Sequence, residues 1–307
     1  MYPKKIALVD IGTLKVKIQL REYLSKDEMK VLYQTSVRTA LGRDWLENNI
    51  PEGAIFDTIN AINMAKIAMD KFGIFELHAI GTEALRKADN GLVVLEQIKN
   101  QTSVEPELLD QATEAKLFFE AVKKDFPNTP ITTLDVGGGS AQIVISDQPI
   151  NQQSFLFPTG TYNIRTEYID GNQPTESGFL LAKEYIFNTL LPIKNLATQS
   201  KYLVVGSTIA LDFFQEILLK FNLPNTSITH SNHPLMINTE TIKIILEKLA
   251  LLPYSERENL FSLEPAYTWG VDITILHILA VCEYLNITNI IPTNHNLSSG
   301  LFSKYLK

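Results

Sequence analysis

The sequence ALVDIGT at residues 7–13 is followed by apolar residues at every second position, and TLDVGGGS at residues 133–140 is followed by another apolar run. Each stretch combines an apolar strand, an aspartate and a glycine turn with a second strand, a pattern that predicts a tight β-hairpin. The two aspartates, Asp10 and Asp135, are 125 residues apart. Three successive glycines destabilise a strand pair unless another group approaches the backbone closely. The second hairpin therefore predicts a binding site as well as a turn.

A second pattern repeats at the same distance. An apolar strand, a glycine, a hydroxyl residue and a helical stretch occur as AIGTEAL at residues 79–85 and as VVGSTIAL at residues 204–211, so the two glycines are again 125 residues apart. Two matches at one spacing indicate a duplicated domain. We expect the four Gly/Ser/Thr turns to face each other across a cleft that suits phosphate, because turn amides and hydroxyls donate hydrogen bonds to phosphate oxygens.

The order of predicted elements sets the fold class and the domain boundary. Strands alternate with helices along the whole chain, which indicates an α/β protein. The length of 307 residues is enough for two medium-sized domains. The clearest linker is the sequence PNTP at residues 127–130. We therefore predict an N-terminal domain at residues 1–127 and a C-terminal domain at residues 128–307, with the last helix able to pack back on the first domain.

Composition excludes several classes of protein. The net charge of −7 argues against a nucleic-acid-binding protein, which needs a basic face. The single cysteine, Cys282, excludes an intramolecular disulfide framework and a cysteine-based zinc site. The five histidines show no metal-binding pattern, since His230 and His233 lie in a loop without a companion ligand nearby in the sequence. The N-terminus lacks an apolar signal region and no apolar run reaches membrane-spanning length, so we expect a cytoplasmic protein that does not bind membranes.

Five motifs together resemble one protein family, the exopolyphosphatase/guanosine pentaphosphate phosphohydrolase family of the actin/sugar-kinase superfamily. They are LDVGGGS at residues 134–140, GTEALR at 81–86 with NG at 90–91, TEAKL at 113–117, PTG at 158–160 and GST at 206–208. The resemblance extends over nearly the whole chain. It implies two duplicated ribonuclease H-like (actin-like ATPase) domains that flank a phosphate-binding cleft.

The resemblance also implies a reaction, the hydrolysis of a terminal phosphoanhydride by water with the help of Mg²⁺. Glu114 would be the general base, since a helical carboxylate that faces a phosphate cleft can take a proton from water. Asp10 and Asp135 would hold the metal, because hard cations bind carboxylate oxygens. Arg86 would clamp a phosphate with its planar guanidinium. The full predicted phosphate-binding set is Gly12, Thr13, Lys15, Thr82, Arg86, Gly137, Gly138, Gly139, Ser140, Gly206, Ser207 and Thr208.

The chain departs from the family pattern at several positions. Leu14 stands where the family has asparagine, and Gln142 stands where a glutamate follows the glycine turn. Asn163 occupies the place of an arginine, although Arg165 lies close by, and Ser298 occupies the place of a basic residue near the C-terminus. Losing a carboxylate and two basic residues weakens the expected contacts to metal and phosphate. Reduced activity is therefore one expectation from the sequence.

Several functions remain open at this point. The leading interpretation is a magnesium-dependent phosphohydrolase that acts on inorganic polyphosphate, and the second is a guanosine pentaphosphate phosphohydrolase, because both activities use one phosphate cleft. A third is a polyphosphate- or nucleotide-binding protein that no longer hydrolyses its ligand. A sugar or acetate kinase on the same fold is disfavoured, because the motif around Glu114 resembles the hydrolases. The dimers of the superfamily suggest a homodimer.

Overall fold

Each predicted hairpin begins a separate β-sheet in the computed structural model, which describes residues 2–25, 28–43, 47–147, 152–169, 174–224, 226–227 and 232–306. The chain divides into two compact units. The first unit contains the residues up to Glu114 together with those from Leu301 onward, and the second unit contains Ala115–Gly300.

The first unit is built on a mixed five-stranded sheet. Its strand order is β3-β2-β1-β4-β5, in which β1, β2 and β3 run antiparallel and β4 and β5 run parallel to β1. The elements up to the unit boundary are β1 (Lys4–Ile11), β2 (Lys15–Tyr23), β3 (Met29–Arg38), α1 (Glu52–Phe72), β4 (Leu77–Gly81), α2 (Glu83–Lys87), α3 (Gly91–Thr102), β5 (Glu107–Leu108) and the first turn of α4 (Gln111–Lys123).

The second unit repeats this sheet and extends it. Its elements are β6 (Ile131–Val136), β7 (Ala141–Ser146), β8 (Gln152–Phe157), α5 (Thr161–Tyr168), α6 (Glu176–Thr189), β9 (Tyr202–Gly206), α7 (Ala210–Lys220), β10 (Thr226–Ser227), β11 (Leu235–Asn238), α8 (Thr239–Ala250), α9 (Tyr254–Arg257), α10 (Val271–Leu285), β12 (Asn289–Thr293) and α11 (Leu297–Tyr305). The strand order is β10-β11-β12-β9-β6-β7-β8. Its stretch β8-β7-β6-β9-β12 has the order and strand directions of the first sheet.

The duplication holds at the level of single hydrogen bonds. The N–H of Gly12 donates to the carbonyl of Lys15 at 3.0 Å, and 125 residues later the N–H of Gly137 donates to the carbonyl of Ser140 at 2.8 Å. Asp10 is paired across the hairpin with Lys17, and Asp135 is paired with the residue at the equivalent position, Gln142. The predicted α/β fold with two ribonuclease H-like units is thereby confirmed.

The division between the units lies within α4, after Glu114, whereas the sequence placed the domain boundary after residue 127. The reason is the apolar face of α4. Phe118 and Val122 on this face are fully buried in one cluster with Val204 of the second sheet. The rest of α4 therefore folds with the second unit.

The end of α11 belongs to the first unit. The Arg21 guanidinium lies 4.1 Å from the centre of the Phe302 ring, and the ring of Tyr23 lies 6.3 Å from it. The ring of Tyr305 stacks on His78 with the two ring centres 3.6 Å apart. These contacts fix the C-terminal residues of the chain against β2 and β4.

A buried charge cluster lies beside α10 in the second unit. Asp272 is fully buried, and it accepts hydrogen bonds from Arg165 at 2.8 and 2.9 Å and from Arg257 at 2.7 Å. Arg257 also donates to the carbonyls of Ala250 and Leu252, both at 2.9 Å. The cluster thus joins α10 to α5 and α9. Although α10 is strongly apolar, no helix among the described residues is long and apolar enough to cross a membrane.

We expect Asp272→Asn to lower the free energy of unfolding by about 3–5 kcal/mol, because two buried guanidinium groups would lose their counter-charge. Urea denaturation followed by circular dichroism measures this change. Glu256→Gln is the matched control, since Glu256 is exposed on α9 and its loss should change stability by less than about 0.5 kcal/mol. Equal stability of the two variants would show that the cluster is not needed for folding.

Candidate active site

In the first unit, two predicted phosphate-binding turns lie side by side at one end of the sheet. The parallel pairing of β1 and β4 puts Ile11 beside Gly81, and the N–H of Thr82 donates to the carbonyl of Ile11 at 3.2 Å. Asp10 is buried one residue earlier, with the Lys17 ammonium 3.9 Å from its carboxylate. Burial raises the pKa of Asp10 above its ordinary value, and the charge of Lys17 offsets only part of this effect.

The first turn is held from outside by residues 39–42. The carbonyl of Leu14 accepts hydrogen bonds from the N–H groups of Thr39 and Ala40 at 3.2 and 3.0 Å, and the carbonyl of Thr13 accepts one from Gly42 at 2.8 Å. A Cβ on Gly42 would lie 2.2 Å from the methyl group of Thr13. Leu14 therefore anchors this loop through its backbone, a role that needs no asparagine side chain.

The predicted base and the predicted phosphate clamp are in direct contact. Arg86, in the last turn of α2, donates through Nη1 to Glu114 and to the carbonyl of Leu109, and through Nη2 to Glu83 at 2.7 Å. Lys87 forms a further ion pair with Glu83. The Arg86 side chain is only 17% exposed and that of Glu114 only 13%. The structure thus brings these two predicted residues together as a half-buried ion pair.

Glu114 is positioned by the start of α4. Asp110 accepts hydrogen bonds from the N–H of Thr113 at 2.7 Å and from its hydroxyl at 2.8 Å, as a residue that caps a helix N-terminus does. These bonds hold the pKa of Asp110 below its usual range. Glu114 lies in the first turn of this capped helix, where the helix dipole stabilises a negative charge. The helix dipole and the Arg86 guanidinium therefore both attract the Glu114 carboxylate.

In the second unit, the triple-glycine turn packs against the start of α5. The N–H groups of Thr161 and Tyr162 donate to the carbonyls of Gly137 and Gly138 at 2.9 and 2.8 Å. The carbonyls of the turn thus bind α5, but some of its N–H groups have no partner among the described residues. Within this part of the chain, no group accepts a hydrogen bond from the N–H of Gly138 or Gly139. Successive free N–H groups of this kind bind anions.

Two of the departures from the family pattern acquire structural roles in this turn. The side chain of Asn163 donates to the carbonyl of Gly139 at 2.9 Å, and that of Gln142 donates to the hydroxyl of Ser140 at 2.9 Å. Arg165 cannot replace the missing arginine, because it is 2% exposed and is bound to Asp272.

The turn of Gly206, Ser207 and Thr208 lies beside the triple-glycine turn, since β9 pairs with β6 and places Gly206 next to Asp135. Both hydroxyls have protein partners: that of Ser207 lies 3.2 Å from the Tyr267 hydroxyl, and that of Thr208 accepts a hydrogen bond from Asn296 at 3.2 Å. A binding role for this turn stays a prediction.

Close packing is by itself a sufficient reason for a glycine at position 206 in this turn. A Cβ on Gly206 would lie 2.2 Å from the ring of Phe118 and 2.8 Å from the carbonyl oxygen of His295.

Sequence reasoning missed several residues that shape these sites. Glu83 carried a usable signal, because it lies three residues before Arg86 in a predicted helix and residues at this spacing are neighbours. Asn163 and Tyr267 carried none, since their partners are 24 and 60 residues away in the sequence.

Two α/β units with the same strand order, each beginning with an aspartate-containing hairpin, define a two-domain protein of the actin/sugar-kinase superfamily. A family model described as "Ppx/GppA phosphatase family" matches residues 22–307. The chain therefore belongs to the Ppx/GppA phosphatase family, as the resemblance of its motifs indicated.

Individual relatives are distant. Exopolyphosphatase 1 of Mycobacterium tuberculosis is 28% identical over 124 residues, which cover 40% of this chain and 36% of that protein. The chain thus matches less than two fifths of the length of the mycobacterial exopolyphosphatases, 36% in one case and 38% in another.

Solved structures share the fold over nearly their full length. An exopolyphosphatase from Cytophaga hutchinsonii has a TM-score of 0.85 at 18% identity, covering 99% of this chain and 98% of that one. The Aquifex aeolicus family member has a TM-score of 0.77 at 19% identity, covering 99% and 97%.

We expect Gly160→Ala to lower the free energy of unfolding by about 1–3 kcal/mol. The new Cβ would lie 2.1 Å from the carbonyl oxygen of Gly138, so the triple-glycine turn or α5 would have to move. Gly53→Ala is the control, because nothing lies within 4 Å of a Cβ at this helical position and the change should stabilise by up to about 1 kcal/mol. Unchanged urea denaturation of Gly160→Ala would contradict the close approach.

Proposed function

We propose that the protein is a magnesium-dependent phosphohydrolase that removes terminal phosphate from inorganic polyphosphate. The observation that carries this proposal is the contact between Arg86 and Glu114 at the start of α4, in a chain of the Ppx/GppA phosphatase family. The names of the curated relatives, exopolyphosphatases, support polyphosphate as the substrate.

In the proposed reaction, Glu114 accepts a proton from water while the water oxygen attacks the terminal phosphorus atom. A new P–O bond forms, and the bond between this phosphorus and the bridging oxygen breaks. The products are inorganic phosphate and a polyphosphate shortened by one unit. Arg86 orients Glu114 before the attack, and its guanidinium then turns from this carboxylate to a phosphate oxygen.

The remaining predicted residues bind the charged substrate in this proposal. The N–H groups of Gly138 and Gly139 donate to phosphate oxygens in the second unit, and Thr13, Lys15 and Thr82 do so in the first. Asp10 and Asp135 fit Mg²⁺ by donor type, since both offer carboxylate oxygens. Bound Mg²⁺ supplies neutralisation of the phosphate charge. A homodimer and a cytoplasmic location stay predictions.

Two alternatives rest on the same residues. Guanosine pentaphosphate also ends in a phosphoanhydride, so the same base and donors would serve it. A protein that binds polyphosphate or a nucleotide without hydrolysing it is favoured by two observations. Gln142 stands in place of a carboxylate and is held by Ser140, and Arg165 is withdrawn into the buried cluster with Asp272.

We expect the purified protein to release phosphate from long-chain polyphosphate in the presence of Mg²⁺, and Glu114→Gln to lower the rate at least about 100-fold, because general base catalysis contributes this much. Glu120→Gln is the matched control, since Glu120 lies exposed on the same helix. It should retain the activity. The rate of phosphate release from guanosine pentaphosphate, measured in parallel, shows which of the two substrates the protein prefers.

Equal rates for the wild type and Glu114→Gln would exclude Glu114 as the base. Binding of either substrate without phosphate release by the wild type would favour the non-hydrolysing alternative.

A further inference from the structure

Three residues that are far apart in the sequence converge in the second unit, outside the site described above. Asp125 follows α4, His233 precedes β11 and His295 follows β12. The Nε2 atoms of His233 and His295 lie 2.8 and 2.9 Å from the same carboxylate oxygen of Asp125. One possible ligand atom from each of the three residues lies within 4.8 Å of the others. The sequence had indicated no such group.

The sheet explains how the histidines meet. β11 and β12 pair antiparallel with Ile237 opposite Ile290, and this register, continued beyond the strand ends, brings His233 beside the residues that follow β12. The N–H of His295 donates to the hydroxyl of Thr293 at 3.1 Å, which fixes the backbone there.

Aromatic packing and an amide hydrogen bond hold the other two residues of the group. The ring of Phe126 lies 4.8 Å from that of His233, centre to centre. Asn232 donates to both carboxylate oxygens of Asp125 at 3.2 Å.

One residue of the group is buried in the protein, and the other two are accessible to solvent. The His233 side chain is fully buried, whereas those of Asp125 and His295 are 18% and 28% exposed. Burial by itself raises the pKa of Asp125, but the hydrogen bonds from His233, His295 and Asn232 outweigh it and hold that pKa well below the usual range.

We propose that Asp125, His233 and His295 form a binding site for a divalent transition metal, with Zn²⁺ as the preferred ion. Two imidazoles and one carboxylate are common zinc ligands. Tetrahedral bonds of 2.0–2.1 Å would separate neighbouring ligand atoms by about 3.3 Å, so the observed distances of 2.8 and 2.9 Å need to open by only about half an ångström. Imidazole donors disfavour Mg²⁺. The site is thus chemically distinct from the one proposed at Asp10 and Asp135 and does not depend on it.

The bound ion would join three segments: the end of α4, the start of β11 and the loop after β12. This loop carries the carbonyl of His295 against Gly206 and the amide of Asn296 against Thr208. Zn²⁺ would therefore stabilise the surroundings of a predicted phosphate-binding turn without contacting substrate. A ligand that binds only the folded state raises the temperature of unfolding.

The test is titration of the full-length, metal-stripped protein with Zn²⁺ by calorimetry, with Mg²⁺ as a parallel titrant and Co²⁺ as a spectroscopic probe. We expect one equivalent of Zn²⁺ to bind, Co²⁺ to show the visible absorption of a tetrahedral site, and Zn²⁺ to raise the unfolding temperature. His295→Asn should weaken Zn²⁺ binding at least about 100-fold, since losing even an outer-shell partner costs 10–100-fold.

The controls separate this site from others. His78→Asn removes a histidine that is hydrogen-bonded to Glu76 in the first unit, and Asp10→Asn removes a proposed magnesium ligand. Both variants should bind Zn²⁺ like the wild type. Far-UV circular dichroism verifies that each variant is folded. His295→Asn is the decisive variant, because His295 is partly exposed and its substitution disturbs the interior less than that of the buried His233. Absence of Zn²⁺ binding by the wild type, or unchanged binding by His295→Asn, would overturn the proposal and leave the group as a hydrogen-bonded ion cluster.

Discussion

Both units depend on one constraint, the reversal of the chain just after an aspartate that is next to last in a central strand. The hydrogen bonds from Gly12 to Lys15 and from Gly137 to Ser140 close the two reversals at the same point. The strand before each turn, β1 or β6, also pairs in parallel with β4 or β9. The residues that follow β4 and β9 therefore lie at the same edge of the sheet as the turn. The hairpin of each unit therefore positions its predicted phosphate-binding residues.

The two copies differ in the residues that they place on this shared geometry. Across the hairpin, Asp10 faces a cation, Lys17, whereas Asp135 faces the neutral amide of Gln142. The parallel register differs as well: Asp10 lies beside Ile80, but Asp135 lies beside Gly206, which is equivalent to the residue after Ile80. The first unit carries the ion pair of Arg86 and Glu114, and the second carries the N–H groups of Gly138 and Gly139, which have no acceptor among the described residues. The two copies of the scaffold thus present different groups at equivalent positions.

The sequence was most informative where a pattern is local. Apolar periodicity in the sequence indicates helices at residues 110–125 and 272–285, which agree with α4 and α10 to within two residues, because each helix buries apolar side chains at helical spacing. It missed β8, whose residues are mostly exposed, and α5, which has only Ile164 and Arg165 buried. Contacts between distant residues left no pattern to detect: Asp125 meets His233 and His295 across 108 and 170 residues. Arg86 and Glu114 were both predicted, but their ion pair follows only from the folded chain.

Close backbone contact at glycines has a consequence for genetics. Gly160 touches the carbonyl of Gly138, and Gly206 fits between Phe118 and His295, so neither position has room for a side chain. A mutational scan scored only by growth or enzyme assay would rank these glycines with the proposed catalytic carboxylate of Glu114, although a glycine has no side chain to contribute a reacting atom. Substitutions at these close-packed glycines would then be tolerated as poorly as substitutions at residues that take part in the reaction. Measuring the abundance of each variant in parallel would distinguish substitutions that prevent folding from those that impair only the reaction.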